Sequence, residues 1–274
     1  MSSFYIHAYH NIFFLLIEKL RKFKLEVILM YQPFYTFNEN QNSDFLILCD
    51  HASNLVPKCV KEGSLGISEE NLNRHIAYDI GASGLSKELG KQLKSPVVLS
   101  NFSRLVIDPN RGEDDPTLIM QLYDGTIIEG NRKISRDDRE NRLNRCYRPY
   151  HNEINRLVST QHDPILISIH SFTPKLKSGF NRPWHVGILS SNDRRFAQPL
   201  LNYFNNQQDI ICGDNEPYRG DLIGDTMFRH ALSVDRLHVL IEVRNDLISS
   251  EKEQLMWGAK LAHAINSVKQ EIDR

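Results

Sequence analysis

Histidines, acids and arginines recur in this chain directly after short apolar runs. Asp50-His51 follow Phe45–Cys49; Asp108, Asn110 and Arg111 follow Leu105–Ile107; His170-Ser171 follow Pro164–Ile169; Glu242 and Arg244 end the run that starts at Leu237. Neutral histidine and carboxylate are zinc donors, and catalytic zinc sites keep three protein ligands and one position for water. Bound zinc lowers the pKa of that water to about 7. A nearby glutamate can take the water proton and hand it to a leaving amine. An arginine can hold a substrate carboxylate through two parallel hydrogen bonds. Together these residues fit metal-assisted hydrolysis. Taken singly, each has a plainer use. His51 can cap a turn, His170 can be a hydrogen-bonded core histidine, and Asp79 can face His75 one helical turn away. Asp108 and Arg111 can close a turn as an ion pair, Glu242 can pair with Arg244, and His185 and His230 can be loop residues. Recurrence at the same end of successive apolar runs is what favours a site. Neither G-x-x-x-x-G-K-S/T nor G-x-G-x-x-G occurs, and there is no G-x-S-x-G elbow, which argues against nucleotide binding and serine hydrolysis of the α/β kind.

The elements that must position these residues alternate. Continuous apolar runs at 45–49, 96–99, 105–107, 164–169, 186–189 and 237–243 read as strands buried on both faces, with a short one at 210–212. Ser68 caps a predicted helix over Glu69–Leu93, which Gly81 and Gly84 interrupt or bend. Further helices are predicted over 136–161, 196–204 and 250–272. Residues 112–135, rich in Gly, Asp, Pro and Asn, read as a long loop of the kind that is functional or flexible. Alternating strands and helices predict an α/β fold with a mostly parallel sheet and helices on both faces. Ligands in such folds bind beyond the carboxyl ends of the strands, where the polar residues above collect.

Composition narrows the field further. Hydrophobic residues make up 41 % and charged residues 24 % of 274, an ordinary globular balance, and the formal net charge of −1 gives no global pull toward nucleic acid or an anionic membrane. No run reaches the roughly 20 apolar residues a membrane span needs. The apolar run Ile12–Ile17 is followed by Lys19, Arg21, Lys22 and Lys24, the wrong order for a secretory signal, so a cytoplasmic location is expected. Cys49, Cys59, Cys146 and Cys212 are scattered without a C-x-x-C pair, which argues against a thiolate zinc site or a disulfide framework. Residues 1–29 read as an appendage, not necessarily native, with one amphipathic helix over Phe13–Ile28. Met30 reads as an alternative start of translation, which the mass of the native N-terminus would test. No internal repeat or linker divides residues 30–274, read as a single domain.

Eight ordered segments carry a family resemblance over about residues 44–265: Cys49–Pro57, His75–Ala82, Ser103–Arg111, Pro149–His151, Ser168–Pro174, Arg182–Gly187, Asp214–Tyr218 and Ile241–Leu247. In them the chain resembles the N-formylglutamate amidohydrolase family. The resemblance implies a three-layer α/β sandwich with a mixed, mostly parallel central sheet, similar to the zinc carboxypeptidases. It also implies zinc held by His51 and His170, with Glu242 as general base. The carboxypeptidase pattern has glutamate three residues after the first histidine, and Asn54 stands there in this chain. Asn54 is a poor zinc ligand, and because Asp79 lies in the segment His75–Ala82 of the resemblance, the resemblance implies Asp79 as third ligand, with Asp50 second and Asn54 as the remaining alternative. The resemblance implies that Arg104, Asn110 and Arg111 grip substrate carboxylates. His185, His230 and Arg244 complete the expected substrate-binding set, with Arg182 as the alternative to Arg244. The implied reaction is hydrolysis of a small N-acyl amino acid, N-formyl-L-glutamate giving formate and glutamate, with neither nucleic acid nor membrane as partner. The alternatives are a deacylase or peptidase acting on a larger amide and a metal-free binding protein on the same fold, for which Asn54 is the best support.

Overall fold

Residues 31–177 and 179–274 are described by a computed structural model; the appendage 1–29, its helix Phe13–Ile28 and Met30 lie outside the described residues. Along the chain come β1 (Phe34–Phe37), β2 (Phe45–Cys49), α1 (Glu69–Leu72), α2 (Ala82–Gln92), β3 (Val97–Ser100), β4 (Leu122–Tyr123), β5 (Thr126–Ile127), α3 (Arg136–Arg142), α4 (Arg148–Thr160), β6 (Ile165–Phe172), β7 (Val186–Leu189), α5 (Ala197–Asn205), β8 (Cys212–Asp214), α6 (Thr226–His230), β9 (His238–Arg244) and α7 (Glu251–Ile272). Seven strands form one sheet in the order β1-β3-β2-β6-β9-β7-β8. The pairs β3-β2, β2-β6, β6-β9 and β7-β8 are parallel, while β1 and β7 each run antiparallel to a neighbour. The expected mixed, mostly parallel α/β sheet is thus present. Pro33–Arg274 forms one compact unit, and no helix of the described residues is long and apolar enough to cross a membrane.

Strand side chains alternate between faces, and each face is covered. On one, Ile47, Cys49, Ile167, Ile169, Val239, Ile241 and Val243 pack with buried residues of α2, α5 and α7. Burial of this face contributes about 25 cal/mol per Å² of apolar surface removed from water. The other face carries Leu48, Ser168, His170, Leu240 and Glu242, and the buried Tyr150 of α4 reaches its edge, donating to Asp50 Oδ1. Parallel pairing sets His170 directly beside Glu242, so both side chains leave the sheet on that same face.

Four expectations meet a different local structure. The helix predicted over 69–93 is split into α1 and α2, with 73–81 in turns. Gly81 explains the break: its φ is +82°, and a Cβ there would lie 2.2 Å from Ile248 O, so no other residue fits. Leu105–Ile107 is a buried turn, not a strand. Its carbonyls are satisfied by side chains, Asn131 Nδ2 donating to Leu105 O (2.7 Å) and the buried Arg142 Nη1 to Val106 O (2.8 Å), as burial of loop backbone requires. The helix over 136–161 holds a π turn at Leu143–Tyr147, just before Pro149, which cannot donate to the preceding turn. The loop 112–135 contains the β4–β5 hairpin, and β1, an edge strand, was not anticipated.

Candidate active site

His51 follows β2, and its carbonyl accepts from Asp79 N–H at 2.9 Å. That bond draws the 73–81 turns across the sheet end toward β6. Ser171 N–H, in β6, donates to Asp79 Oδ2 at 3.2 Å. The result brings His51 Nδ1 and His170 Nδ1 to 3.3 Å and 2.9 Å from the same Asp79 Oδ2. One ligand atom from each of His51, Asp79 and His170 lies within 4.8 Å of the others, and all three residues are buried. The spacing suits a single ion with bonds of about 2.0–2.1 Å, and two imidazoles plus a carboxylate is a donor set of catalytic zinc.

The far nitrogen of each histidine faces another carboxylate. His51 Nε2 lies 2.7 Å from Asp108 Oδ1, and His170 Nε2 lies 3.1 Å from Asp50 Oδ2. Such partners fix ring orientation and leave the near nitrogen for a metal. Asp50 also accepts from Tyr150 Oη (2.9 Å), Thr226 Oγ1 (2.8 Å) and Ser168 Oγ (3.1 Å). Burial acts to raise its carboxyl, but the hydrogen bond and charge of His170 outweigh that and hold it at about 2. Burial likewise acts on Asp108, yet the Arg104 guanidinium keeps it well below the usual carboxylate range. Asp79 is held low against its burial by His51 and His170.

Glu242 differs from these acids. Its Oε2 is buried with no hydrogen-bond partner among the described residues, and burial pushes its carboxyl up to about 7 against the pull of His170. It faces a cavity of about 260 Å³ that His51, His170, Arg104, Asn110 and Arg111 also line. A buried carboxylate without a partner, beside a three-donor cluster and open to a cavity, is arranged to exchange a proton with a bound molecule.

The remaining predicted residues divide. Arg104 lines the cavity, but its guanidinium donates twice to Asp108 Oδ2 (3.2 and 2.8 Å) and lies 3.5 Å from Asp79 Oδ1. Asn110 Oδ1 accepts from Thr226 N–H at 3.2 Å, which turns its NH2 group away from α6 and leaves it free. Arg111 donates to Thr117 Oγ1 and Asn110 O, leaving Nη2 without a partner among the described residues. His185, His230 and Arg244, expected in the substrate-binding set, are not among the residues that line the cavity. His185 Nδ1 accepts from Ile211 N–H at 2.8 Å, and Arg244 pairs with Asp246 at 2.8 Å. His230 is buried against His151 Nδ1 (2.8 Å), and burial lowers it to about 4. Arg182 donates to Thr173 O and Tyr218 Oη, again outside the lining. Asn54 is turned away from the histidines, its Nδ2 donating to Leu72 O and Asn73 Oδ1.

Sequence reasoning missed Tyr123, Leu189, Leu240 and a strap over 215–225 that supplies Tyr218, Arg219, Asp221, Leu222 and Asp225 to the lining. Tyr123 had a signal: Asp124-Gly125, with φ of +40° and +75°, is the two-residue hairpin turn that Asp-Gly favours. The strap had a partial one: Asp214–Tyr218 is a segment of the family resemblance, but nothing in it places Arg219, Asp221, Leu222 or Asp225 at the cavity.

Against this geometry, a family model for N-formylglutamate amidohydrolase matches residues 43–249. The crystal structure of gene product Atu2144 from Agrobacterium tumefaciens is similar at 30 % identity, covering 89 % of this chain and 97 % of that one, with a TM-score of 0.84. The N-formylglutamate amidohydrolase from Ralstonia eutropha JMP134 is 18 % identical over 86 % of this chain and 99 % of that one, with a TM-score of 0.65, a likeness of fold. No functionally curated protein matches the chain.

Proposed function

The chain belongs to the N-formylglutamate amidohydrolase family, and from that premise we propose that it hydrolyses N-formyl-L-glutamate to formate and glutamate with a divalent metal, zinc by preference. The proposal assigns the reaction to a single domain over residues 30–274. His51, Asp79 and His170 would hold the ion, with Asp108 and Asp50 fixing the two rings from behind. When bound, the metal supplies Lewis-acid polarisation of the amide carbonyl and of the attacking water.

The chain's own residues do the rest. Glu242 takes a proton from the attacking water as its oxygen bonds to the amide carbon. The same carboxyl then delivers the proton to the amide nitrogen as the C–N bond breaks, so the amine leaves neutral. A carboxyl near pKa 7 suits both halves of that exchange. The free NH2 of Asn110 and Nη2 of Arg111 orient the substrate's α-carboxylate. Arg104 is a positioning residue in this reading: it holds Asp108 and Asp79, not substrate.

The observation that carries the proposal is the unpartnered Glu242 Oε2 beside His51, Asp79 and His170. The test is formate release by the zinc-supplemented protein from N-formyl-L-glutamate, repeated with Glu242→Gln. We expect turnover in the wild type and a kcat about 10²–10⁴-fold lower in the variant, with metal content retained. Equal turnover in the two proteins would remove Glu242 from the mechanism; no formate from the wild type would remove the substrate.

A further inference from the structure

Among the described residues, three arginines line the cavity: Arg104, Arg111 and Arg219. Arg104 is consumed by Asp108 and Asp79. Arg111 is inside, with one free guanidinium nitrogen next to Asn110. Arg219 stands on the strap with its side chain 81 % exposed, and its one partner is Asp221, two residues on, itself 46 % exposed. Such an exposed pair is weak and readily exchanged.

The root of Arg219 is fixed, while its head is exposed and held only by Asp221 among the described residues. Gly220 N–H and Ser190 N–H both donate to Asn215 Oδ1, at 3.0 and 3.1 Å, which ties the strap to the end of β7. On the other side, Tyr218 Oη accepts from Arg182 Nη1 at 3.1 Å. The lining also includes Leu189, Leu222 and Leu240. The cavity therefore presents a half-buried cation, Arg111, an apolar surface, and a second, exposed cation, Arg219. That combination complements a molecule with two carboxylates joined by a short methylene spacer.

We propose that Arg219 is the specificity-determining residue that reads the substrate's distal carboxylate, exchanging Asp221 for it, while Arg111 holds the α-carboxylate next to the scissile amide. The α-carboxylate is two bonds from the amide nitrogen and belongs with the inner cation; the side-chain carboxylate reaches outward past the leucines. This assignment rests on the amide-hydrolysing reading above and adds which half of the substrate is selected, and by what.

The experiment compares N-formyl-L-glutamate with N-formyl-L-glutamine, which is nearly isosteric but uncharged at the far end. A charge-assisted hydrogen bond made to one substrate alone is worth a preference of about 10- to 100-fold in kcat/KM. The wild type should show that preference, chiefly in KM and weakening with added salt. Arg219→Ala should bring the ratio close to one, and Arg219→Lys should recover part of it. Asp221→Asn, which removes the competing carboxylate, should lower KM for the glutamate substrate. The ratio is insensitive to a general loss of fold, since both substrates meet the same protein. A ratio kept in Arg219→Ala, or absent in the wild type, overturns the assignment and leaves amide hydrolysis standing. Hydrolysis of neither substrate by the wild type overturns the reading of the reaction itself.

Discussion

The two sides of the cavity are built on opposite plans. On the side of β2 and β6, Asp50, His51, Asp79, Asp108 and His170 are all 5 % exposed or less, and each bonds to at least one other member. On the strap side, Tyr218, Arg219, Asp221 and Ile223 are between 38 and 81 % exposed, and Arg219 and Asp221 pair with each other. The wall acids and Asp225 are shifted in opposite directions. Asp50, Asp79 and Asp108 are held below the ordinary range by His170, the two histidines and Arg104 respectively. Asp225, at the strap's foot, is raised by burial to about 6. A wall in which every charge is answered suits an unvarying task such as holding an ion. A strap with spare charge suits recognition, because its weak contacts are available for exchange.

The wall should fail steeply and through the metal. Asp79→Asn should weaken zinc binding by more than the roughly 10–100-fold expected when a supporting carboxylate is lost, measured by competition with a chromophoric chelator. Asp50→Asn should fall within that 10–100-fold range, because Asp50 acts through His170. The reverse order would make Asp50 the ligand and Asp79 the support. Neither substitution should alter the preference between glutamate and glutamine substrates, which belongs to the strap.

The same division separates what the sequence discloses from what it hides. His51, His170 and Glu242 are legible because a buried strand is a continuous apolar run, and a polar residue ending one has few bland uses at the same end of a sheet. Asp79 is harder. By spacing it belongs on a helix face with His75, and only the family resemblance put it at the metal. The helix is broken by the contact of Gly81 with Ile248, which no local pattern displays. Leu105–Ile107 reads as a strand because a short buried run looks alike in a strand and in a turn whose carbonyls a distant Arg142 satisfies. The strap is only partly legible: Asp214–Tyr218 lies in a segment of the resemblance, but the bond from Ser190 N–H to Asn215 Oδ1, 25 residues on, that seats the strap is shown by no local pattern.

Asp225 offers a sharper test of the contrast in acids. Its folded pKa of about 6 exceeds its ordinary 3.8, so the folded state binds the proton more tightly than the unfolded one. Its contribution therefore favours folding below about pH 4 and is lost as pH rises through 6. The wall acids have the reverse sign, stabilising at neutral pH and failing as pH falls. The step from 3.8 to about 6 corresponds to about 3 kcal/mol, as an upper bound. Asn at this position keeps the helix cap, since its Oδ1 can still accept from Phe228 N–H as Asp225 does. In denaturant melts, Asp225→Asn should match the wild type near pH 4 and exceed it by up to about 3 kcal/mol above pH 6. A stability gain that is flat across that range would place the origin outside the carboxyl.

Gly224 should show the smallest effect and the cleanest separation of the two sides. Its φ is +85°, and a Cβ there would sit 2.9 Å from Gly112 Cα and 3.3 Å from Gly112 N. Both neighbours are backbone, so neither can swing aside. Alanine must bear the left-handed conformation, at about 1–2 kcal/mol, or the strap must lift from the loop that carries Asn110 and Arg111. Lifting displaces the residues that read substrate while leaving His51, Asp79 and His170 on their own supports. Gly224→Ala should therefore raise KM for N-formyl-L-glutamate several-fold and leave the zinc affinity of the wild type in place. If zinc affinity falls in step with KM, the strap and the wall are one mechanical unit, and a role for the strap confined to recognition is lost.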